Sequence, residues 1–418
     1  MTSTDPARSG GCPRVALVVP GLEQGGGVPV VAMFLHRVLA ESGRYLPELV
    51  SIAMSSRDDS SVRLLAPNTW HRGVRVRDGE WSGKPLRHVG ASLVELEFQR
   101  YRPRRVLTDL LRSFDLVQVV AGVPAWALVT RDVGRPVGLQ VATLVAVERV
   151  AIASRRSGVL AVWQRLMTRL LTRWEVTALR RVDAVFVENQ WMYDRLRGLM
   201  DASKVIFAPP GIDTDVFRPT DSGPRRDESI LSVGRLSDPR KNVALLFRAY
   251  RQLLESTPAA PELVLAGNAG PTPDDWELAR SLGIADRVRF LENVTRAELV
   301  ELYQHAALYV LSSDEEGLGL VILEAMACGC PVVSTDCGGP STSVVQGETG
   351  FLVPLGDAEA LAEKMRALVT DAELRRRMGT RARERAVSVF SLEATGRLFL
   401  DWFDRALQAR ADRNEGPP

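Results

Sequence analysis

Residues 308–334 read LYVLSSDEEGLGLVILEAMACGCPVVS and contain the pattern of a complete strand–helix–strand unit. The apolar run Leu308–Leu311 predicts a buried strand, a glycine turn follows it, and Val332–Ser334 predicts the next strand. The segment between them predicts a helix that begins near Leu318. Because short apolar strands alternating with helices are typical of parallel sheets, this stretch predicts an α/β fold.

The same alternation continues in both directions and predicts two doubly wound α/β domains. Predicted strands in the first half of the chain lie at Arg14–Pro20, Leu46–Ala53, Leu116–Val120, Val137–Thr143 and Ala184–Val187, with a helix at Val28–Glu41. Predicted strands in the second half lie at Ile230–Val233, Leu263–Ala266, Val288–Leu291, Leu308–Leu311, Val332–Ser334 and Gly350–Val353. Residues 54–90 are rich in Arg, Ser, Gly and Trp, and are expected to form a long, irregular surface segment.

The two series are separated by Ala208–Asp213, where two prolines and a glycine follow one another. We therefore predict an N-terminal domain over residues 14–208 and a C-terminal domain over residues 209–391. From about Leu361 the pattern is helical to the end of the chain. A last helix, at about residues 392–408, is expected to pack back on the first domain.

The composition excludes several protein classes. With 418 residues, 45% hydrophobic and 25% charged, the chain has the make-up of two or three globular domains rather than of a disordered or collagen-like protein. There is neither a signal-peptide core nor an apolar run of ~18–20 residues, so we expect a cytoplasmic protein. Nor do the four cysteines have the spacing of a metal site: Cys12, Cys328, Cys330 and Cys337.

The charge is distributed unevenly along the chain. Residues 1–210 contain 29 basic and 19 acidic residues, whereas the rest contains 24 basic and 32 acidic residues. This asymmetry fits two domains with an anionic ligand near the basic one, and it equally fits uneven surface charge.

A glycine-rich loop follows the first predicted strand. Gly25, Gly26 and Gly27 stand between that strand and the first helix, where backbone amides can approach an anion at a helix N-terminus. A plain tight turn explains the loop equally well. The sequence GxGxxG is absent from it, which disfavours a nicotinamide cofactor.

The corresponding loop of the second domain carries positive charge, in the sequence SVGRLSDPRKN. Arg235 and Lys241 flank a turn at the carboxyl end of a predicted strand, where open α/β sheets bind ligands. Two fixed cations suit a diphosphate, with Arg as a planar fork and Lys as a point charge. Arg240 could substitute for either or face solvent, and the whole loop could also be a solvated basic turn.

Two glutamates lie on either side of the predicted helix start in residues 308–334. Glu316 precedes the helix, and Glu324 lies nearly two turns into it, so the carboxylates can contact two separate parts of one long ligand. Hydroxyl pairs on a ribose and on a sugar require such acceptors. The turn residues Gly317 and Gly319 leave the amides of Gly319 and Leu320 free for phosphate.

The sequence EGLGLVILEAMACGCPVV, with GRLSDPRKN upstream and QGETGFLVP downstream, resembles the retaining glycosyltransferases of family 4. The resemblance is strong over residues 205–400 and looser over residues 14–204. It implies the GT-B fold, in which two Rossmann-like domains face each other across a cleft. It also implies a nucleotide diphosphate sugar as donor, with no metal and no further cofactor.

The resemblance assigns a role to each candidate residue. Arg235 and Lys241 match the pair that binds the diphosphate and stabilises its departure, and Glu316 matches the glutamate beside the donor sugar. Glu324 matches the residue that binds the ribose, and Val294 matches the loop whose backbone meets the base. The loop at Gly25–Gly27 matches the one that faces the phosphate and the acceptor.

The sequence departs from the family pattern at two places. A histidine is common near the reacting centre, after a strand of the first domain, but this chain has Ala142 or Thr143 there. It also has Thr342 where the family commonly has glutamate. Retention is usually described as front-face departure assisted by the phosphate, which requires no enzyme nucleophile, so stabilisation of the leaving group by Arg235 and Lys241 would supply most of the catalysis.

The sequence thus predicts a transferase that moves a hexosyl group from a nucleotide diphosphate sugar to an acceptor hydroxyl. A UDP-sugar is favoured and a GDP-sugar is possible; the acceptor is a small molecule, a glycan or a lipid-linked molecule. The alternative is a catalytically silent, nucleotide-sugar-binding partner of another glycosyltransferase. No motif indicates binding to nucleic acid.

One predicted helix, Gly158–Arg181, has a basic face. The arginines of that face are Arg165, Arg169, Arg173 and Arg180, and Met167, Leu170, Leu171, Trp174 and Ala178 lie opposite. Such a face fits either a docked helix with a solvated basic surface or peripheral contact with anionic lipid or an anionic acceptor.

Overall fold

The structure is a computed structural model that describes residues 11–22, 27–55, 58–93, 95–149, 158–220 and 229–415. Over these residues the chain forms two β-sheets, each covered by helices. Most strands of both sheets are parallel, which gives the α/β class that the sequence predicts.

The first sheet contains eight strands: β1 (Arg14–Pro20), β2 (Leu46–Ile52), β3 (Val76–Trp81), β4 (Lys84–Val89), β5 (Leu116–Ala121), β6 (Val137–Val141), β7 (Ala184–Val187) and β8 (Val205–Phe207). The helices in this part of the chain are α1 (Gly27–Glu41), α2 (Arg105–Arg112), α3 (Val145–Glu148), α4 (Gly158–Arg181) and α5 (Gln190–Arg197). The strand order is β3-β4-β2-β1-β5-β6-β7-β8, and only β3 runs antiparallel to its neighbour. Strands β5 to β7 are buried along their whole length, as expected of a parallel sheet covered on both faces.

The second sheet contains six parallel strands: β9 (Ser229–Arg235), β10 (Glu262–Ala269), β11 (Val288–Glu292), β12 (Ala306–Leu311), β13 (Val332–Thr335) and β14 (Gly350–Val353). The helices that follow in the chain are α6 (Val243–Ser256), α7 (Pro273–Ser281), α8 (Arg296–His305), α9 (Leu320–Ala327), α10 (Pro340–Ser343), α11 (Ala358–Thr370), α12 (Ala372–Phe390) and α13 (Leu392–Glu415). The strand order β11-β10-β9-β12-β13-β14 reverses direction between β9 and β12. This reversal is the point at which doubly wound sheets bind their ligands.

The chain divides into two compact units. The first unit comprises three segments: the chain up to Val187, Leu196–Ala208 and the chain from Gly396 onward. The second unit comprises Glu188–Arg195 and Pro209–Thr395.

The last helix, α13, packs on the first unit through its aromatic residues. The Phe399 ring stacks on Phe186 at 4.5 Å and meets Phe34 edge-on at 5.8 Å. Trp402 contacts the same Phe186 ring at 5.4 Å. This contact confirms the expected return of the last helix, which continues to Glu415 rather than ending near residue 408.

The expectation of an irregular surface segment over residues 54–90 is wrong for residues 76–89, because these form β3 and β4. Strand β4 pairs in parallel with β2, with Leu86 opposite Leu49, and so extends the sheet. In β3 no side chain is buried, and β4 buries only Leu86, His88 and Val89, so neither strand has the apolar run that marks the others. Among the described helices, none combines the length and apolar composition of a membrane-spanning segment.

Candidate functional site

Hydrogen bonds join the loops that follow β9 and β12, the two strands between which the strand order reverses. The amide of Asp314 donates to the carbonyl of Arg240 at 2.7 Å, and Ser312 Oγ donates to the carbonyl of Lys241 at 2.8 Å. Asn242 Nδ2 donates to Asp314 Oδ1 at 2.8 Å. These hydrogen bonds therefore hold the loops of Lys241 and Glu316 next to each other at the carboxyl edge of the second sheet.

The loop after β9 is shaped by two capping residues. Asp238 accepts the amide of Arg240 at 3.0 Å and begins a short 3₁₀ turn, Pro239–Lys241. Asn242 then adopts a left-handed conformation with φ of 45° and caps α6 by accepting the amide of Leu245 at 3.2 Å. Asp238 and Asn242 thus fix the backbone on either side of Lys241, and with it the position of the lysine.

Arginines neutralise Asp238 within this loop. Arg240 Nη2 lies 2.8 Å from Asp238 Oδ2, and Arg235 Nη2 lies 3.7 Å from it. Burial alone would raise the pKa of Asp238, but the hydrogen bonds from Arg240 outweigh it and lower the pKa. Arg240 also approaches Glu315 at 4.0 Å, so its guanidinium is held by two carboxylates.

Lys241 and Glu316 form an ion pair at the centre of the site. The lysine stem crosses Gly234, where an added Cβ would lie 3.4 Å from Lys241 Cε. Ser313 Oγ donates to Glu316 Oε1 at 2.8 Å. The Lys241 and Glu316 side chains are only 19% and 15% exposed, so their charges are partly shielded from water and interact strongly.

Arg235 is the last residue of β9, and its side chain is 46% exposed. Its guanidinium is directed at Asp238 in the turn that leads to Lys241. The structure brings Lys241 together with Glu316 and leaves Arg235 accessible to solvent.

Helix α9 begins at Leu320, two residues later than the sequence predicts. Gly319 stands at the N-cap position with φ of 78°, a left-handed conformation that ends the loop and prevents an earlier start. Glu324 is therefore the fifth residue of the helix, just over one turn from its start. Because the first amides of a helix have no acceptor within it, those of Gly319 and Leu320 can bind an anion.

The turn before α9 is fixed by close backbone packing. The amide of Gly339 donates to the carbonyl of Glu316 at 3.1 Å. A Cβ added to Gly339 would lie 2.7 Å from the carbonyl oxygens of both Glu316 and Gly317. The side chain of Asn189, which belongs to the second unit, donates to the carbonyl of Gly317.

The carboxylate of Glu324 is held by a buried tyrosine. Tyr303, on α8, donates its hydroxyl to Glu324 Oε2 at 2.9 Å. Glu324 is partly exposed, yet the packed protein around it raises the pKa of its carboxyl to about 7, although Tyr303 and Arg296 favour the charged form. Burial also raises the pKa of Tyr303, so its hydroxyl remains a donor at neutral pH.

Val294 lies in the loop between β11 and α8, at the same edge of the second sheet. Its partly buried side chain packs against the core of that unit. The amide of the preceding Asn293 donates to the carbonyl of Gly267 at 2.9 Å, and Thr295 caps α8 with a capping box completed by Glu298. The loop is therefore held at both ends, with Val294 at its tip.

The candidate residues of the first unit are only partly described. Gly27 is the first residue of α1, and a Cβ added there would meet no atom within 4 Å. Gly25 and Gly26 lie outside the described residues. Ala142 and Thr143, where the family commonly has histidine, follow the end of β6, and their amides lie 3.3 and 3.0 Å from the carbonyl of Gly122.

Thr342, the second departure from the family pattern, has a local structural role. It lies in α10, and its Oγ1 accepts the amide of Gln190 at 3.3 Å. Its own carbonyl accepts from Arg385 Nη2 at 3.0 Å.

Sequence reasoning missed Ser313, Asn242 and Tyr303 as parts of this site. Asn242 could have been found, because asparagine directly before an apolar helical pattern is a helix-capping signal. Ser313 and Tyr303 gave no such signal. Each acts on a carboxylate through a contact that only the folded chain creates.

Within the described residues, no group of three or more His, Cys, Asp or Glu side chains could hold a metal ion. Of the cysteines, Cys328 and Cys330 are buried, and Cys337 lies near Glu316 and Lys241. Burial raises the pKa of the Cys337 thiol to about 12, so it stays protonated and is a poor nucleophile.

Residues 216–385 match the protein family described as "Glycosyl transferases group 1". The chain is 37% identical over 225 residues to a protein of Kribbella flavida named D-inositol 3-phosphate glycosyltransferase, a match that spans about half of each protein, 50% and 53%. Matches to proteins of the same name in Stackebrandtia nassauensis and Frankia alni are 30% and 32% identical. They cover 97% and 94% of this chain and 94% and 97% of those proteins.

Solved structures share the fold at low sequence identity. Sucrose-phosphate synthase from Thermosynechococcus elongatus superposes with a TM-score of 0.74 at 22% identity, covering 95% of this chain and 100% of that one. HepE from Anabaena, in complex with UDP and glucose, gives a TM-score of 0.70 at 16% identity, covering 94% and 100%. These likenesses establish the architecture of two Rossmann-like domains and leave the reaction to be argued from the site.

Proposed function

Because the chain belongs to the group 1 glycosyltransferases and has the GT-B fold, we propose that it transfers a hexosyl group from a nucleotide diphosphate sugar to an acceptor hydroxyl. One observation carries this proposal. The loops after β9 and β12 are hydrogen-bonded at the reversal of strand order, and there Lys241 and Glu316 form an ion pair beside the start of α9. A cation, an acceptor carboxylate and free helix amides in one place suit a phosphorylated sugar.

The diphosphate binds to Arg235 and Lys241 in this proposal. Arg235 is half-exposed and can form two parallel hydrogen bonds to phosphate oxygens, and Lys241 supplies a localised charge. The amides of Gly319 and Leu320 add donors at the positive end of α9. When the bond to the sugar breaks, these groups stabilise the negative charge that develops on the leaving diphosphate.

The two glutamates bind the hydroxyl-bearing parts of the donor. Glu324, held by Tyr303, accepts the ribose hydroxyls, and Glu316 accepts hydroxyls of the sugar. The backbone beside Val294 meets the base, and UDP is the favoured nucleotide.

We further propose that the anomeric configuration is retained and that no metal ion takes part. Glu316 is engaged by Lys241 and Ser313, which makes it a binding group rather than a free nucleophile. Front-face departure assisted by the diphosphate then accounts for retention without a covalent intermediate. Lys241 and Arg235 take the charge-neutralising role that a cation has in other phosphate sites.

The acceptor is a small molecule, a glycan or a lipid-linked molecule that carries the attacking hydroxyl. The name shared by the nearly full-length relatives makes D-inositol 3-phosphate the first acceptor to test. Sugar transfer to this compound from a UDP-sugar would define both substrates of the reaction.

A second proposal concerns helix α4, whose outward face could contact anionic lipid. The predicted basic face is exposed along Arg165, Arg169, Arg173 and Arg180, and Met167, Leu171 and Ala178 are buried. Exposed apolar residues accompany the arginines: Val162, Trp163 and Leu166. A mixed basic and apolar face suits a membrane surface, whereas a solvated helix needs only the charges.

Co-sedimentation with anionic vesicles tests this second proposal. Changing Arg165, Arg169 and Arg173 to Gln should abolish binding. The matched control changes three exposed arginines of α12 to Gln: Arg376, Arg377 and Arg381. Equal binding by both triple variants would contradict the proposal.

A thermal-shift screen tests the donor site. UDP, GDP, ADP and dTDP, each alone and with its common sugars, are compared on the native chain and on Arg235→Ala. Selective stabilisation that the variant loses supports the donor site and identifies the base. Arg251→Ala is the matched control, because Arg251 is a partly exposed arginine of α6 paired with Glu255.

Catalysis is then measured as release of the nucleoside diphosphate in the presence of acceptor. Nucleotide-dependent stabilisation without turnover on any acceptor would favour the alternative, a silent nucleotide-sugar-binding partner of another transferase. If no nucleotide stabilises the native chain, both the transferase and the silent partner are contradicted.

A further inference from the structure

We propose that Tyr303 is a positioning residue that holds the Glu324 carboxylate in the orientation that binds the ribose diol of the nucleotide. This inference rests on the proposed role of Glu324 in the donor site. Tyr303 lies in the last turn of α8, outside both the sequence motif and the loops around Lys241.

The geometry of the contact leaves Tyr303 little freedom. Its side chain is fully buried, and its hydroxyl donates to Glu324 Oε2 at 2.9 Å. The ring packs against Tyr309 and Phe217, with ring centroids 5.9 and 6.2 Å away. Because the ring is enclosed on these sides, the hydroxyl is fixed to one oxygen of the carboxylate.

That single hydrogen bond determines what remains for a ligand. An ionised carboxylate accepts at two oxygens, and Tyr303 occupies one of them. Oε1 and the remaining lone pair of Oε2 are left for two hydroxyl donors, which is the requirement of a cis-diol. Without Tyr303 the carboxylate could rotate about its last bond, and binding of the diol would then carry the entropy cost of ordering it.

Protonation gives the contact a second consequence. Burial raises the pKa of Glu324 to about 7, so the free site is partly protonated near neutral pH. The hydrogen bond from Tyr303 and the charge of Arg296 act against this and favour the carboxylate. Because a diol donates to the ionised form, ribose binding should strengthen as the pH rises through this range.

The titratable and charged groups near the carboxylate lie on α8, β12 and α12 and directly after α9; β13 and α10 also pack on α9 and have no such groups. Helix α8 contributes Tyr303 and Arg296, and β12 contributes Tyr309, whose hydroxyl points to the carbonyl of Val233 at 3.4 Å. Cys328 follows α9, and Arg383 of α12 donates to the carbonyl of Ala327 at 2.9 Å, at the far end of the helix. Of these groups, Tyr303 makes the hydrogen bond to Glu324.

The test compares UDP with 2′,3′-dideoxy-UDP by calorimetry from pH 5.5 to 8.5. The native chain should prefer UDP, and the preference should grow as the pH rises. In Tyr303→Phe the preference should fall about five- to tenfold, the size expected for weakening a hydrogen bond to a charged group, and its pH midpoint should move upward. Tyr250→Phe is the control, because this equally buried hydroxyl of the same unit donates to Pro261 and Arg287 carbonyls and should change neither quantity.

The outcomes distinguish failure of the proposed function from failure of the role of Tyr303. If the native chain binds no nucleotide, the proposed function fails. If it prefers UDP and Tyr303→Phe shows the same preference and the same midpoint, the role of Tyr303 is overturned while the donor site stands. Should Tyr303→Phe not fold, Glu324→Gln supplies the second test: a ribose preference equal to that of the native chain would show that the carboxylate does not bind the diol, and would overturn the role of Tyr303 as well.

A double-variant comparison excludes a merely structural effect. If Tyr303 acts through Glu324, the variant carrying both Tyr303→Phe and Glu324→Gln should lose no more ribose preference than Glu324→Gln alone. An additional loss in the double variant would show that Tyr303 acts elsewhere and would overturn the inference.

Discussion

Replacing Glu324 with glutamine should stabilise the protein at alkaline pH and weaken nucleotide binding. Burial raises the pKa of Glu324 from 4.5 to about 7, so the folded chain retains a proton that the unfolded chain releases. The corresponding stability is present below pH 4.5 and is lost as the pH rises through about 7. A difference of about 2.5 between the two pKa values corresponds to about 3.4 kcal/mol, which the partial exposure of Glu324 reduces to about 2–3 kcal/mol.

Glutamine removes the charge and keeps the acceptor. Its amide oxygen can still receive the hydrogen bond from Tyr303, so the local packing is retained. At pH 8 the variant should therefore melt roughly 5–10 °C above the native chain, and at pH 5 the difference should fall to about a quarter of that. Over the same pH range, calorimetry should show UDP affinity reduced at least about tenfold, because two hydroxyl donors lose a charged acceptor.

Two independent results would refute this reasoning. A melting difference that is the same at pH 5 and pH 8 would show that Glu324 does not carry an unfavourable charge in the folded chain. Stabilisation at pH 8 with unchanged UDP affinity would show that the charge exists and serves no donor site.

Three further predictions use the same assays. Glu175 is buried and accepts the Val145 amide at 2.9 Å, and burial raises its pKa to about 7. Glu175→Gln should therefore stabilise the protein at alkaline pH as Glu324→Gln does, but leave the UDP affinity unchanged. Lys241→Ala should lower turnover about 100-fold or more with only a small loss of melting temperature. The control Lys364→Ala, at an ion pair on the surface, should alter neither quantity. Equal losses of stability and activity in Lys241→Ala would contradict the assignment. Glu316→Gln should free Lys241 and strengthen UDP binding while sugar transfer falls, and weaker UDP binding would oppose it.

Most buried strands could be predicted from the sequence, whereas β3, β4 and β8 could not. Strands such as β1 and β12 are covered on both faces, so their residues are almost all apolar and the pattern is unmistakable. Strand β3 lies at the sheet edge with exposed side chains, and β8 has only three residues. Their positions depend on backbone pairing with neighbouring strands, which leaves little trace in the residue types.

The sequence indicated the loops of the candidate site but not the contacts between them. The motif after β12 pointed to Glu316 and Glu324 as candidates, and the basic turn after β9 pointed to Lys241. The ion pair of Lys241 with Glu316 joins residues 75 positions apart, and the bond of Tyr303 to Glu324 joins residues 21 apart. Such contacts follow from strand order and helix packing, so they required the folded chain.

The pairing of charges in the free site bears on how the site would distinguish a whole donor from a product. Lys241 is neutralised by Glu316, so a diphosphate must compete with this carboxylate for the lysine. On the proposed roles, a complete nucleotide sugar replaces the contact that Glu316 loses with Lys241, because the sugar hydroxyls donate to Glu316. A nucleoside diphosphate without its sugar leaves Glu316 with Ser313 as its remaining hydrogen-bond donor, in surroundings where an unpaired charge is costly. On these roles, the ion pair should weaken binding of the product relative to the donor and so favour release after transfer.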